Sequence, residues 1–301
     1  MELRHLRYFL AVAQERNFSR AAERLNIAQP PLSRQIRQLE LEVGAELFDR
    51  GSRPLRLTEA GRLLHQHAQQ VLSGFDQMRT MMTRYAGAQS RRFIIGFVGS
   101  VIYGRLPRIV RLLRAALGDA VEVTLTELST LDQIAALREG RIDAGFGRLR
   151  IDDPAVRRIV MLEEPLVAAL PADHILAEGS DPLELAALAA EPLILYPRPS
   201  RPSYADQLLS LFQDHGLVPE SRQEVRELQT ALGMVAAGAG LCVVPASVQS
   251  LHRDDLVYRP IAAADAVSPI ILSHRAGDEA DDLLQLIAIS RDIYGDADGR
   301  S

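Results

Sequence analysis

Apolar residues at Leu3, Leu6, Phe9, Leu10 and Ala13 recur at steps of three and four, which predicts a helix from Glu2 to about Gln14 with one buried face. A second helix is predicted over 20–25, with Ser19 placed to cap its first turn. Asn26-Ile27-Ala28-Gln29 reads as a turn. Prolines lack an amide hydrogen and are tolerated in a helix only near its start, so Pro30 and Pro31 place the start of a third helix there. On that helix Leu32, Ile36 and Leu39 face inward and leave Ser33, Arg34, Gln35, Arg37 and Gln38 outside; Gly44 ends it. Asp49-Arg50-Gly51-Ser52-Arg53-Pro54 has the composition of a hairpin tip, a wing carrying two more cations. Short helix, turn and polar helix together describe a helix-turn-helix whose second helix enters the major groove of DNA. The same pattern also suits a small helical bundle with a solvated charged face.

Thr58 is placed to cap the next helix, on which Leu64, Ala68, Val71, Phe75, Met78, Met82 and Tyr85 alternate in steps of four and three. Such a seam predicts a long helix that pairs with a second copy of the chain. Gly87-Ala88-Gln89-Ser90 reads as a hinge. From Phe93 the pattern becomes short apolar runs alternating with helical stripes, which predicts parallel strands joined by crossover helices. Strands are expected over 93–98, 121–125, 142–147, 160–170, 193–196, 223–226, 241–244 and 269–274, with helices over 106–116, 131–139 and 281–294.

The 301 residues are 47% apolar and 24% charged, the balance of a globular protein of two or three domains with no membrane span. The early acid Glu2 and the lack of a long apolar run exclude a secretory signal, so the cytoplasm is the expected compartment. The net charge of -5 hides a segregation: the first 90 residues hold 13 arginines against 9 acids, and the rest hold 21 against 30. A basic front suits nucleic acid. Cys242 is the single cysteine, which excludes an intramolecular disulfide and reads as a small buried apolar residue.

Five segments, Arg4-His5-Leu6-Arg7-Tyr8-Phe9, Asn17-Phe18-Ser19-Arg20-Ala21-Ala22, Ala28-Gln29-Pro30-Pro31-Leu32-Ser33-Arg34-Gln35-Ile36, Leu47-Phe48-Asp49-Arg50 and Leu57-Thr58-Glu59-Ala60-Gly61, closely resemble the LysR-type transcription regulators. The resemblance implies a winged helix-turn-helix in which Gln29, Pro30, Ser33 and Arg34 meet the major groove and Arg53 on the wing enters the minor groove. It implies an α/β effector domain like a periplasmic binding protein, with the ligand between two subdomains. The expected organisation is a DNA-binding domain over 1–58, a dimerisation linker helix and hinge over 59–90, and an effector domain over 91–301. Within the last, one subdomain spans about 91–162 and 268–301, the other about 163–267. Promoter DNA, a homodimer that pairs into a tetramer, and RNA polymerase are the partners this family implies.

Helix N-termini present unpaired amides and a positive dipole end, which favours carboxylates. Three strand-to-helix junctions have that chemistry: Gly99-Ser100, Ser129-Thr130 with Thr130 and Gln133 spaced as a capping box, and Pro202-Ser203-Tyr204. Two of them on opposite walls would suit a dicarboxylate; the plainer reading is that Ser100, Thr130 and Ser203 only cap helices. Arg148 either lines the cleft and attracts the anion or serves as a structural ion-pair partner. Gly145-Phe146-Gly147-Arg148-Leu149, Asp152-Asp153-Pro154-Ala155, Leu195-Tyr196-Pro197, Arg201-Pro202-Ser203-Tyr204-Ala205-Asp206, Val235-Ala236-Ala237-Gly238 and Val244-Pro245-Ala246-Ser247 further resemble regulators of catechol and benzoate degradation. That narrower resemblance implies an activator responding to cis,cis-muconate through Ser100, Thr130, Arg148, Pro202, Ser203 and Tyr204. A chloromuconate, benzoate or another small acid stays open as effector. An enzyme acting on a small carboxylic acid is the competing class. Against it the sequence has no glycine-rich phosphate loop, no nucleophile elbow and no metal-ligand spacing, so neither cofactor nor metal is expected. His65, His174 and His215 could converge with serines, but read as polar surface residues.

Overall fold

The computed structural model describes residues 1–49, 51–52, 54–86, 91–198, 201–219 and 222–295. Arg50, Arg53 and the Gly87-Ala88-Gln89-Ser90 segment lie outside them. The chain forms two compact units, Met1–Ala88 and Gln89–Ser301.

In the first unit, α1 (Leu3–Glu15), α2 (Phe18–Arg24) and α3 (Gln29–Val43) precede a short antiparallel ribbon of β1 (Phe48–Asp49) and β2 (Arg56–Leu57), followed by α4 (Glu59–Ala86). Phe9, Leu32, Ile36, Leu39 and Leu47 are fully buried in its core. Phe48 packs at 5.3 Å from Phe9 and 5.7 Å from Phe18, ring centre to ring centre, and so ties the ribbon to α1 and α2. Full burial of one such side chain is worth about 1.5–3 kcal/mol. The cap of α2 is Asn17 rather than Ser19: Asn17 Oδ1 accepts from the Ser19 amide at 2.8 Å and the Arg20 amide at 3.2 Å. Both residue types cap well, and the helix simply begins earlier than the pattern predicts. Gly44 closes α3 in the left-handed region, φ 76°, as its missing Cβ permits.

Thr58 caps α4, its hydroxyl accepting from the Gly61 amide at 3.0 Å. The expected seam on α4 divides. Ala68 is buried in the unit's own core and Leu64 packs against it, whereas Val71, Met78 and Met82 are about half exposed. The first two seam positions therefore serve their own domain, and the Tyr85 side chain is not among those described.

The second unit is built on a seven-stranded mixed sheet. Its strands are β3 (Arg91–Phe97), β4 (Val121–Glu127), β5 (Ala144–Gly147), β6 (Val156–Pro171), β9 (Cys242–Pro245), β10 (Leu256–Pro260) and β11 (Val267–Arg275). The strands β7 (Leu193–Leu195) and β8 (Arg222–Glu224) pair separately. Among the named strands, β3 pairs parallel with β4 and β5 and β7 pairs parallel with β8, but β6 and β11 pair antiparallel, correcting the expectation of parallel strands. The chain leaves the first lobe along β6 and returns along β11, which a local hydrophobic pattern cannot show. β6 pairs with β11 from Val156 to Pro165, then with β9 and β10 from Leu166 to Pro171.

Two main apolar cores result. One gathers Phe93, Ile95, Ile109 and Leu113 with Leu283 and Leu286; the other gathers Leu170, Leu193, Phe212, Leu232 and Val243. The helices α5 (Leu106–Leu117) and α10 (Asp281–Gly295) flank the first, α7 (Leu185–Ala189), α8 (Tyr204–Asp214) and α9 (Leu228–Ala236) flank the second, and α6 (Thr130–Arg138) packs in a smaller cluster with Ile142 and Val156. No helix among the described residues is long and apolar enough to cross a membrane.

Candidate functional site

In the first unit the start of α3 presents Gln29, Pro30 and Arg34 exposed and Ser33 half-buried, with Leu32, Ile36 and Leu39 anchoring the opposite face. Gln35, expected outside, is instead half-buried: its Oε1 lies 2.9 Å from Nε2 of the buried His5 on α1. His5 thus fixes the rotation of α3 about its axis, a role with no sequence signal beyond its place on the inner face of α1. The exposed guanidinium of Arg34 is the kind of group that reaches base edges or phosphates.

In the second unit a cavity of about 380 Å³ lies between the two cores. Ser100, Thr130, Arg148, Pro202, Ser203 and Tyr204 all line it, from both lobes. The helix starts facing it follow from local capping. Ser129, not Thr130, caps α6: its hydroxyl accepts from the Asp132 amide at 3.1 Å and donates to the Asp132 carboxylate at 2.7 Å. The capping pair is therefore Ser129 and Asp132, one residue earlier than Thr130 and Gln133, and Thr130 is the first residue inside the helix. Gln133 is buried and its amide nitrogen donates to the Leu128 and Phe146 carbonyls. The Gln133 backbone amide bonds to the Ser129 carbonyl, so the unsatisfied first-turn amides of α6 are those of Thr130 and Leu131.

On the opposite wall Ser203 does cap α8, in a box with Asp206 whose carboxylate accepts from the Ser203 amide at 2.7 Å. The Asp206 and Gln207 amides reach the Ser203 carbonyl, which leaves those of Tyr204 and Ala205. The two readings of Ser203, cap and cavity wall, are both fulfilled.

Arg148 lines the cavity and is also an ion-pair partner. Its side chain is 3% exposed, and its Nη2 lies 2.6 Å from Glu164 Oε2, itself 5% exposed. Nε donates to Ser100 Oγ at 2.8 Å and Nη1 to the Ser268 carbonyl at 3.4 Å. The other Glu164 oxygen accepts from the Ser247 amide at 2.6 Å. A hydroxyl that accepts keeps its own hydrogen to donate, so Ser100 is left as a donor. The same holds for Thr130, whose Oγ1 accepts from the Arg148 amide at 3.3 Å. Gly147 makes that approach feasible, since a Cβ there would fall 2.9 Å from Thr130 Oγ1.

Tyr196 and Tyr204 form an aromatic wall, ring centres 5.2 Å apart, and Tyr204 donates to the Val243 carbonyl at 3.1 Å. Burial holds both phenols well above their ordinary pKa, so they stay neutral beside an anion. Burial likewise pushes the Cys242 thiol up, leaving it unreactive. The exposed rim carries Glu127, Arg226, Glu227 and Gln229, none of which the sequence pattern singled out. With Arg148 balanced by Glu164, the inner polar groups of the cavity are neutral donors, two helix starts on facing walls and two hydroxyls, while Arg226 adds a cation at the exposed rim. Among the described residues no group of three or more His, Cys, Asp or Glu could hold a metal.

Comparison with known proteins agrees with both units. Residues 3–62 match the bacterial regulatory helix-turn-helix protein of the lysR family, and residues 86–289 match the LysR substrate binding domain. The transcriptional regulator CatR of Pseudomonas putida is 53% identical over 92% of this chain and 94% of its own length. BenM of Acinetobacter baylyi is 46% identical over 98% and 96%. Full-length BenM superposes with a TM-score of 0.66 over 99% of this chain and 98% of that one, at 45% identity. CbnR in complex with its target DNA superposes at 0.62 over 97% and 99%, at 30% identity. With a helix-turn-helix in its first unit, a ligand-sized cavity in its second and relatives named as regulators along nearly its whole length, this chain belongs to the LysR family of bacterial transcriptional regulators.

Proposed function

We propose that this regulator activates genes for aromatic-compound degradation and that its effector is cis,cis-muconate, bound in the cavity between the two lobes. The observation that carries the effector reading is the pairing of two helix starts, at Thr130 and Tyr204, on one cavity with an aromatic wall. Each start supplies two amides to one carboxylate, and the tyrosine rings suit a planar conjugated chain. Benzoate is the named effector of the BenM effector-binding domain. With a single carboxylate it would leave the donors of one wall unused, which favours the dicarboxylate here. Ligand control requires different affinities for two arrangements of the protein.

The test is isothermal titration of the full chain with cis,cis-muconate, benzoate and adipate. Muconate is expected to bind with the highest affinity of the three. Ser100→Ala and Thr130→Val are each expected to weaken it about 10-fold or more, the worth of a hydrogen bond to a charged group. Thr130→Val keeps the side-chain shape against Gly147 but also removes the acceptor of the Arg148 amide, so Thr130→Ser, which keeps the hydroxyl, is the control expected to retain affinity. Absence of muconate binding would return the effector to the chloromuconates or another small acid without touching the family assignment.

For DNA, Gln29, Pro30, Ser33 and Arg34 are proposed to meet the major groove, and Arg53 the minor groove. Arg34→Ala is expected to lower affinity for the specific promoter by about 1–3 kcal/mol while leaving muconate affinity unchanged. A gel shift indistinguishable from wild type would remove α3 as the reading element. The exposed Val71, Met78 and Met82 on α4 support a homodimer that pairs through the linker helix, which would place two recognition helices on two half-sites.

A further inference from the structure

Tyr103 stands three residues after Ser100 in the same 3-10 turn, Gly99–Tyr103, which belongs to the first lobe. Its side chain nevertheless packs against the core of the second lobe. Two hydrogen bonds fasten the turn there: the Tyr103 hydroxyl accepts from Gln229 Nε2 at 2.5 Å, and the Tyr103 carbonyl accepts from Ser250 Oγ at 3.0 Å. Gln229, in the first turn of α9, also lines the cavity and is exposed. Tyr103 itself stands outside the cavity lining, so its bond ties the turn that carries Ser100 to an exposed rim residue of the opposite lobe.

We propose that Tyr103 and Gln229 form a latch over the mouth of the cavity that sets how fast the acid enters and leaves; this rests on the cavity being the effector site. The bond joins two protein groups and is not replaced by a contact to ligand. It must open for passage in either direction and re-forms afterwards, so it belongs to the barrier and not to the difference between bound and free. Loss of the Tyr103 hydroxyl should then raise the association and dissociation rates by the same factor. One hydrogen bond of ordinary net strength corresponds to about threefold to tenfold in each rate. The equilibrium constant should stay within about twofold, and the promoter affinity should not change.

The experiment is surface plasmon resonance of cis,cis-muconate on the immobilised full chain, comparing wild type with Tyr103→Phe, Gln229→Ala and the double variant. Both rates are expected to rise together in Tyr103→Phe, and the hydroxyl deletion is expected to have no further effect once Gln229 is alanine. Unchanged rates, or faster dissociation alone with weaker affinity, would overturn the latch. Hydrogen–deuterium exchange on the same variants gives a reading without any ligand: peptides covering 99–104 and 226–232 should exchange faster in Tyr103→Phe, and equal exchange would also overturn it. Wild type that binds no muconate yet shows the exchange difference would defeat the effector reading and leave the latch standing.

Discussion

Glu164→Ala is expected to destabilise the second unit by about 3–5 kcal/mol, the usual cost of leaving a buried charge without its partner. Arg148 and Glu164 are both almost wholly buried, and Glu164 also holds the Ser247 amide, so the substitution orphans a cation and a backbone donor together. The comparison that isolates the charge is Glu164→Gln, which keeps an acceptor of similar shape. Urea unfolding of both variants, with an unchanged slope, would measure the loss. A loss below about 1 kcal/mol would show that the cavity hydrates Arg148 well enough to replace its partner. The pair does not by itself argue for a more stable fold than an apolar core would give. Its position argues for orientation: it holds Nε of Arg148 against Ser100, whose own hydrogen stays free to donate, as the proposed effector site requires.

The second large effect is expected in the DNA-binding unit. A Cβ on Gly61 would lie 2.1 Å from the Leu47 carbonyl oxygen, which already accepts from the Thr58 amide at 3.1 Å. Backbone cannot rotate aside as a side chain can, so Gly61→Ala must separate the first turn of α4 from Leu47, the residue just before β1. Overpacking of this kind costs about 1–3 kcal/mol, and this contact is at the severe end. The base of the wing would shift with it, and promoter affinity should fall along with stability. Gly74, on the same helix, has nothing within 4 Å of its notional Cβ. Gly74→Ala should therefore stabilise by about 0.5–1 kcal/mol. Opposite signs for the two alanines, measured by urea unfolding, are the expected result; equal signs would mean that α4 can shift away from β1 without strain.

Much of this architecture was legible in the sequence because it is local. The prolines at the start of α3, the glycine at its end and the inward Leu32, Ile36 and Leu39 needed no knowledge of distant residues. Nor did the cavity serines and threonine, since a strand followed by a hydroxyl and a helix is a local pattern. The errors share a cause in small choices between neighbours. Asn17 and Ser19, or Ser129 and Thr130, are comparable caps in sequence, and only the backbone decides which one is used. Arg148 could not be assigned between an anion-attracting cavity wall and an ion-pair partner because Glu164 lies apart from it on β6; it lines the cavity and pairs with Glu164. Leu64 and Ala68 fit a seam shared with another chain, yet their own domain takes them first. The antiparallel return of β11 and the bond between Tyr103 and Gln229 depend on pairings across more than a hundred residues, which periodicity does not encode.

The long strand β6 constrains how these proteins can be recombined. Its first ten residues pair with β11 in one lobe, and its last six pair with β9 and β10 in the other. No cut between the lobes spares it, because a fragment ending at Pro165 or beginning at Leu166 would bare an unpaired edge and half of a core. A chimera that grafts one lobe onto a relative would have to carry a seamless β6, so sensing should transfer between regulators as a whole block or not at all.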